Sequence, residues 1–182
     1  MFRELGEQWG AALALDNLGR TARYQGDAGQ AVALCEEGLT LFRTTGDRRG
    51  VANALNSLGD VARDRGDLAE AWARYQESLA VNREVGSQAA LAVSLEGLGS
   101  VAVAQGQLAQ AARLLAAAQG LRQHIGAPLP PSRHPEVERS WFAARVGLKL
   151  PAYTAAEAEG QAMTLEQALT YALNSSSEGA LQ

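Results

Sequence analysis

Leu15-Asp16-Asn17-Leu18-Gly19-Arg20-Thr21-Ala22-Arg23-Tyr24-Gln25-Gly26-Asp27 returns forty residues later as Leu55-Asn56-Ser57-Leu58-Gly59-Asp60-Val61-Ala62-Arg63-Asp64-Arg65-Gly66-Asp67. It returns again as Leu95-Glu96-Gly97-Leu98-Gly99-Ser100-Val101-Ala102-Val103-Ala104-Gln105-Gly106-Gln107. A fixed period of this size marks an array in which each copy is one supersecondary unit. The spacing of Leu15, Leu18 and Ala22, and of their equivalents, is i, i+3, i+7, so each set lies on one buried face of a first helix, A. Gly26, Gly66 and Gly106 fit the left-handed residue that closes a helix, and Asp27 or Asp67 then caps the next one. That second helix, B, carries Ala31, Cys35, Gly38, Leu39 and Phe42, then Ala71, Tyr75, Ser78, Leu79 and Asn82, then Ala111, Leu115, Ala118, Gln119 and Arg122. Gly46, Gly86 and Gly126 punctuate the copies. The pattern predicts helices near 10–25, 28–45, 50–65, 68–85, 90–105 and 108–124.

Working outward, residues 10–49, 50–89 and 90–127 are three full repeats. Phe2, Arg3 and Gly6 echo Phe42, Arg43 and Gly46, so residues 1–9 read as the end of a truncated preceding repeat. The helix B missing before them would leave Leu13 and Leu15 on an open N-terminal edge, so the chain is expected to self-associate there or to show frayed first helices. Pro128, Pro130 and Pro131 break the rhythm, and residues 128–173 read as a C-terminal helical cap. Within it a helix from about Pro135 to Val146 shields the last repeat with Val137, Trp141 and Phe142. Thr164-Leu165-Glu166-Gln167 is a capping box opening a final helix to about Leu173, with Leu165, Ala168, Leu169 and Ala172 on one face. Residues 174–182, rich in serine, read as a disordered tail.

Composition agrees with an all-α chain. Of 182 residues 36 are alanine and only 5% are aromatic, which favours helix and close helix contact over a bulky core. Apolar runs such as Ala11–Leu15 and Leu114–Ala118 stop far short of the roughly 20 residues of a membrane span. The N-terminus has no signal-peptide pattern, so the protein is expected in the cytoplasm. The net charge of -4, with both signs interspersed, gives no electrostatic footprint for nucleic acid or anionic lipid. Fifteen arginines against the single Lys149 point to a GC-rich genome rather than to guanidinium chemistry.

Motifs for chemistry are weak. A phosphate-cradling loop needs Gly-Lys-Ser/Thr, and Lys149 stands between Leu148 and Leu150. Gly97-Leu98-Gly99-Ser100-Val101-Ala102 fits a loose dinucleotide pattern but lies inside helix A, without the strand that the motif requires. His124 and His134 straddle a proline-rich turn with no further His or Cys to complete a metal site. Cys35 occupies the column of Tyr75 and Leu115 and reads as a packed hydrophobe. Trp9, Trp72 and Trp141 share no column and read as packing. No catalytic, cofactor or metal residue is expected, and the chain is not expected to be an enzyme.

The columns Leu-x-x-Leu-Gly-x-x-Ala-x-x-x-Gly-Asp resemble the tetratricopeptide repeat, in the longer 40-residue form of LGN-like proteins. The usual Trp is replaced by Leu15, Leu55 and Leu95, the usual Tyr by Ala22, Ala62 and Ala102, and the closing Pro is absent. The resemblance implies a right-handed superhelix of antiparallel helix pairs, with helix A lining a concave groove that binds a peptide or partner protein. On that packing Asp16, Asn17, Arg20, Arg23 and Tyr24 face the groove in the first copy, with Leu13. In the second copy Asn53, Asn56, Asp60, Arg63 and Asp64 do so, with Ser57. Glu96 and Ser100 do so in the third, over a more apolar floor of Val93, Gly97, Val103 and Ala104.

The tail segments Leu114-Leu115-Ala116-Ala117-Ala118-Gln119-Gly120-Leu121-Arg122, Trp141-Phe142-Ala143-Ala144-Arg145 and Glu159 to Ala168 are similar to the C-terminal end of bacterial AfsR/LuxR-like signal-transducing ATPase regulators. That similarity implies the alternative function, a sensory or autoregulatory module in transcription regulation. Its partner would be an upstream ATPase domain of the same polypeptide. It also casts the chain as a fragment of a longer regulator, the other choice being a stand-alone protein with a short cap.

Overall fold

The computed structural model describes residues 2–175; residues 176–182, most of the expected tail, lie outside the described residues. Every regular element described is helical: α1 (Phe2–Tyr24), α2 (Ala28–Thr45), α3 (Arg48–Asp64), α4 (Leu68–Val85), α5 (Gln88–Ala104) and α6 (Leu108–Ile125). A single 3-10 turn, Pro131–Arg133, then leads into α7 (His134–Gly147), α8 (Leu150–Ala162) and α9 (Leu165–Asn174). The chain divides into two compact units, residues 1–87 and 88–182. In the first, α1 pairs with α2 and α3 with α4, and α2 packs on α3. In the second, α5 pairs with α6, and α7, α8 and α9 close over that pair.

Short-range chemistry sets the turns. Gly26, Gly46, Gly66, Gly86, Gly106 and Gly126 all have positive φ, the left-handed conformation that lets a helix stop within one residue. Asp27, Asp47 and Asp67 then accept hydrogen bonds from the amides of Gln30, Gly50 and Glu70, capping α2, α3 and α4.

The Leu-Gly column is explained by what sits on the glycine. A Cβ on Gly19 would meet Cys35 Sγ at 2.5 Å, on Gly59 the Tyr75 ring at 2.8 Å, and on Gly99 the Leu115 side chain at 2.8 Å. Helix A therefore gives up its side chain there so that the helix B residue sixteen positions on fits against its backbone. Around this contact Leu39, Phe42, Val51, Ala54, Leu55 and Leu58 form the main core of the first unit.

In the second unit the alanine-rich α6 is enclosed from several sides, with Ala111, Ala112, Leu114, Leu115, Ala116, Ala117, Ala118 and Leu121 all buried. An apolar surface this wide on one helix needs neighbours on more than one side.

Four features differ from the sequence reading. The first helix begins at Phe2, not near residue 10, and runs through Gly6 without a left-handed turn. Where Asp47 caps α3 after Gly46, the residue after Gly6 is Glu7, a helix former and a poor cap, so nothing stops the helix. Leu13 and Leu15 are half-buried; the open face of α1 carries Ala11, Ala14, Leu18 and Thr21, with Leu18 at 55% exposure. Those positions correspond to Val51, Ala54, Leu58 and Val61, the buried face of α3. Phe142 points outward at 69% exposure, because α7 buries the stripe Val137, Ser140 and Ala144, whose small members allow close approach. Finally, α8 is an element the sequence reading does not separate. Pro151 sits in its first turn, and Tyr153, Ala156 and Gly160 form its buried stripe. The capping box of Thr164 and Gln167 is present as expected, with Ala168, Leu169 and Ala172 buried.

Candidate interaction surface

In the first unit α1 packs beside α3 as well as on α2. The groove-column residues expected there fall into three groups: Asn17, Arg20, Tyr24, Asn53 and Asp64 are exposed, Asp16, Asn56 and Asp60 are buried, and Arg23 and Arg63 lie between.

Four of these residues, with Tyr75 from α4, form one polar network. Arg23 Nε donates to Asp64 Oδ2 at 2.6 Å, and its Nη1 donates to Asp60 Oδ2 at 3.3 Å. Arg63 Nη2 donates to Asp64 Oδ1 at 3.0 Å, and its Nη1 donates to the Tyr75 hydroxyl at 3.4 Å. That hydroxyl donates to Asp60 Oδ1 at 2.6 Å. Burial opposes the charge of Arg23, but Asp60 and Asp64 outweigh it and hold the guanidinium above its ordinary pKa. Its guanidinium also stacks over the Tyr24 ring, 5.4 Å from the centroid. Two cations and two anions thus neutralise one another across α1 and α3.

Asp16 stands apart. Burial is the main cause that raises its pKa above the usual carboxyl value; a hydrogen bond with Ser57 and the nearby Arg20 oppose the rise, and Asp60 adds repulsion. Its Oδ1 is buried and accepts no hydrogen bond. Behind it, burial together with the charge of Asp16 pushes the Cys35 thiol up to about 12, as suits a packed side chain rather than a reactive one.

The second unit solves the same column differently. Glu96, 3% exposed, accepts from Arg122 Nε at 2.5 Å and Nη2 at 3.1 Å, and from Arg133 Nε at 3.3 Å. Arg133 also pairs with Glu136 at 3.6 Å. The Ser100 and Ser140 hydroxyls are hydrogen-bonded at 2.9 Å, joining α5 to α7. Glu96 and Ser100 therefore bind α7 and the turn before it. Arg133 and Ser140 are polar participants that the sequence reading does not single out, and it names Arg122 and Tyr75 only as residues of the helix B columns. Arg122 carried a signal, since it interrupts a helix B column that holds Phe42 and Asn82 in the other copies.

Among the described residues no group of three or more His, Cys, Asp or Glu side chains is placed to hold a metal ion. Nor is any described helix long and apolar enough to cross a membrane. His134 donates from Nε2 to the Leu129 carbonyl at 2.9 Å, a contact that secures the turn before α7.

Comparison with known families identifies the repeats. Residues 11–45 and residues 50–123 match tetratricopeptide repeat models, together covering more than half of the chain. No curated protein matches it. The matched segments are the pair α1–α2 and the run α3–α6, the helices in which the Leu-Gly column recurs. Such repeats generally mediate contacts between proteins and are generally non-enzymatic scaffolds. With three glycine-registered helix pairs and two matches over them, this chain belongs to the tetratricopeptide repeat family.

Proposed function

We propose that the chain is a non-enzymatic interaction module that holds a peptide or a segment of a partner protein on the face of α1 and α3. The observation that carries this reading is the division of labour among the groove columns. Asn17, Arg20, Tyr24, Asn53 and Asp64 are exposed, while Arg23, Asp60 and Arg63 are tied into a network that fixes the floor beneath them. Polar side chains on a rigid helical floor are suited to pairing with the backbone and charges of a bound segment. Asn56, Glu96 and Ser100, all buried, serve by positioning. The interspersed charge supports a protein partner over nucleic acid or membrane, and a cytoplasmic setting is part of the proposal. The exposed Ala11, Ala14 and Leu18 face supports self-association as a secondary contact.

A second reading, a sensory C-terminal module of an ATP-dependent bacterial transcriptional regulator, is favoured by how firmly the tail is built into the second unit. Gly160 of α8 lies so close to α6 that a Cβ there would strike the Arg113 carbonyl and Ala116, and Arg113 Nε donates to Glu159 at 2.5 Å. An upstream reading frame encoding Gly-Lys-Ser/Thr would favour that reading.

The test of the first reading is selection of a random twelve-residue peptide library on the purified chain, followed by binding of the selected peptides to variants. Arg20→Ala and Tyr24→Ala are expected to weaken binding at least fivefold with melting unchanged, whereas Glu37→Ala, on the exposed side of α2, leaves it intact. Equal binding to all three variants, or no enrichment, would refute a groove on this face.

A further inference from the structure

Asp16 and Glu96 occupy the same column of helix A, two repeats apart, and both are more than nine-tenths buried. Their surroundings differ in one chemical respect. Glu96 receives two guanidinium groups, from Arg122 twenty-six residues on and Arg133 thirty-seven residues on. Counted from Asp16, the same two register positions hold Phe42 and Asn53, neither able to supply a cation. The column therefore places a buried acid in both copies and supplies its counter-cations in one.

What remains near Asp16 does not replace them. Ser57 offers a neutral hydrogen bond, and Arg20 attracts the carboxylate from one turn along α1, yet Oδ1 still accepts nothing. From α3, Asp60 repels it; its own charge is already engaged by Arg23 and Tyr75. From α2, Phe42, Cys35 and Gly38 bring no positive charge. An ionised carboxylate left in this state is costly, and a guanidinium delivering a charge-assisted hydrogen bond is the group that relieves it best. Asn53 is exposed and uncharged, so the register position filled by Arg133 in the second unit is open to solvent in the first.

We infer that Asp16 is the receptor for an arginine side chain of the bound segment, which enters beside Asn53 and stands to Asp16 as Arg133 stands to Glu96. This inference rests on the interaction-module reading and narrows it to partners that present arginine to the junction of α1 and α3. The internal precedent also defines a self-supplied version: arginine at position 53 would satisfy the acid from within.

The test uses the full chain and three acetylated, amidated pentapeptides, Ala-Ala-Arg-Ala-Ala and its twins with citrulline or norleucine in place of arginine. Citrulline keeps the shape and removes the charge. Backbone amide shifts of the isotopically labelled chain are followed during titration, together with the carboxyl carbon of Asp16. The expected result is saturable binding of the arginine peptide, with shifts centred on Asp16, Asn53 and Ser57, and at least tenfold weaker binding of both twins. Asp16→Asn and Asn53→Arg are each expected to reduce that binding at least tenfold; Asn53→Arg also raises the melting temperature and draws the Asp16 carboxyl carbon to its ion-paired position. Equal affinity for arginine and citrulline, full binding by Asp16→Asn, or an Asp16 signal unmoved by the arginine peptide would each overturn the inference. The norleucine peptide or library-selected peptides without arginine binding through Arg20 and Tyr24 would leave the interaction module standing while removing Asp16 from recognition.

Discussion

The ring of Tyr75 lies where a side chain on Gly59 would have to be, 2.8 Å from an ideal Cβ at that position. The same pairing joins Cys35 to Gly19 and Leu115 to Gly99, so a single packing rule recurs with three different helix B side chains.

Replacing that glycine tests the rule. Gly59→Ala should gain about 1 kcal/mol of helix propensity but force the Tyr75 ring aside at a cost of about 1–3 kcal/mol. The expected outcome in urea unfolding is net destabilisation. In a Tyr75→Ala background, where the ring is gone, the same Gly59→Ala change should become stabilising, and a double-mutant cycle measures the coupling.

Asp16 gives a pH-dependent signature. Its carboxyl pKa in the fold is raised above the ordinary 3.8, chiefly by burial. A carboxyl raised in the fold contributes stability below its unfolded pKa, and that contribution is lost as pH rises through the folded value. Asp16→Asn is therefore expected to stabilise the chain at pH 7 by on the order of 1 kcal/mol, with the advantage shrinking towards pH 4 and below. Thermal melts of both proteins across pH 3–8 check the sign; a variant less stable than the parent at pH 7 would contradict it.

The buried Glu96 cluster should behave as a unit. Arg122→Met leaves Glu96 with Arg133 alone and is expected to cost about 3 kcal/mol, because a buried charge loses its bidentate partner. Glu96→Leu combined with Arg122→Met should cost less than Arg122→Met alone, since the stranded charge goes with it. Denaturant midpoints of the two variants decide this.

Cys35 is expected to be inert in the folded chain. With its thiol pushed up to about 12, the thiolate fraction at pH 8 is on the order of one in ten thousand. A colorimetric disulfide reagent should react with it only after unfolding; stoichiometric reaction within minutes under native conditions would show that the α1–α2 contact opens readily.

Much of the fold was legible because the repeat encodes it three times. The glycines at 26, 66 and 106 end one helix and the aspartates at 27 and 67 begin the next, through local backbone chemistry that needs no tertiary information. The start of α1 was less legible: Gly6 matched Gly46 as a letter, but the turn also needs the cap that Asp47 supplies and Glu7 does not. The exposure of Phe142 is not legible in the sequence, because aromatic character suggests burial, whereas the α7 stripe is set by spacing and filled by Val137, Ser140 and Ala144. The groove columns could be read as positions but not as partnerships. Which of Arg23, Asp60, Arg63 and Asp64 engage one another depends on α1 and α3 being brought side by side, and the role of Arg133 depends on a turn that proline residues merely announced.

The interaction-module reading is tested most directly by mapping a library-selected peptide onto the labelled chain through amide chemical-shift changes. The expected map is confined to α1 and α3, strongest around Arg20, Tyr24 and Asn53, and is abolished by Arg20→Ala without a change in melting temperature. A map centred on the outer sides of α2 and α4, or on α8 and α9, with Arg20→Ala binding as well as the parent, would contradict it.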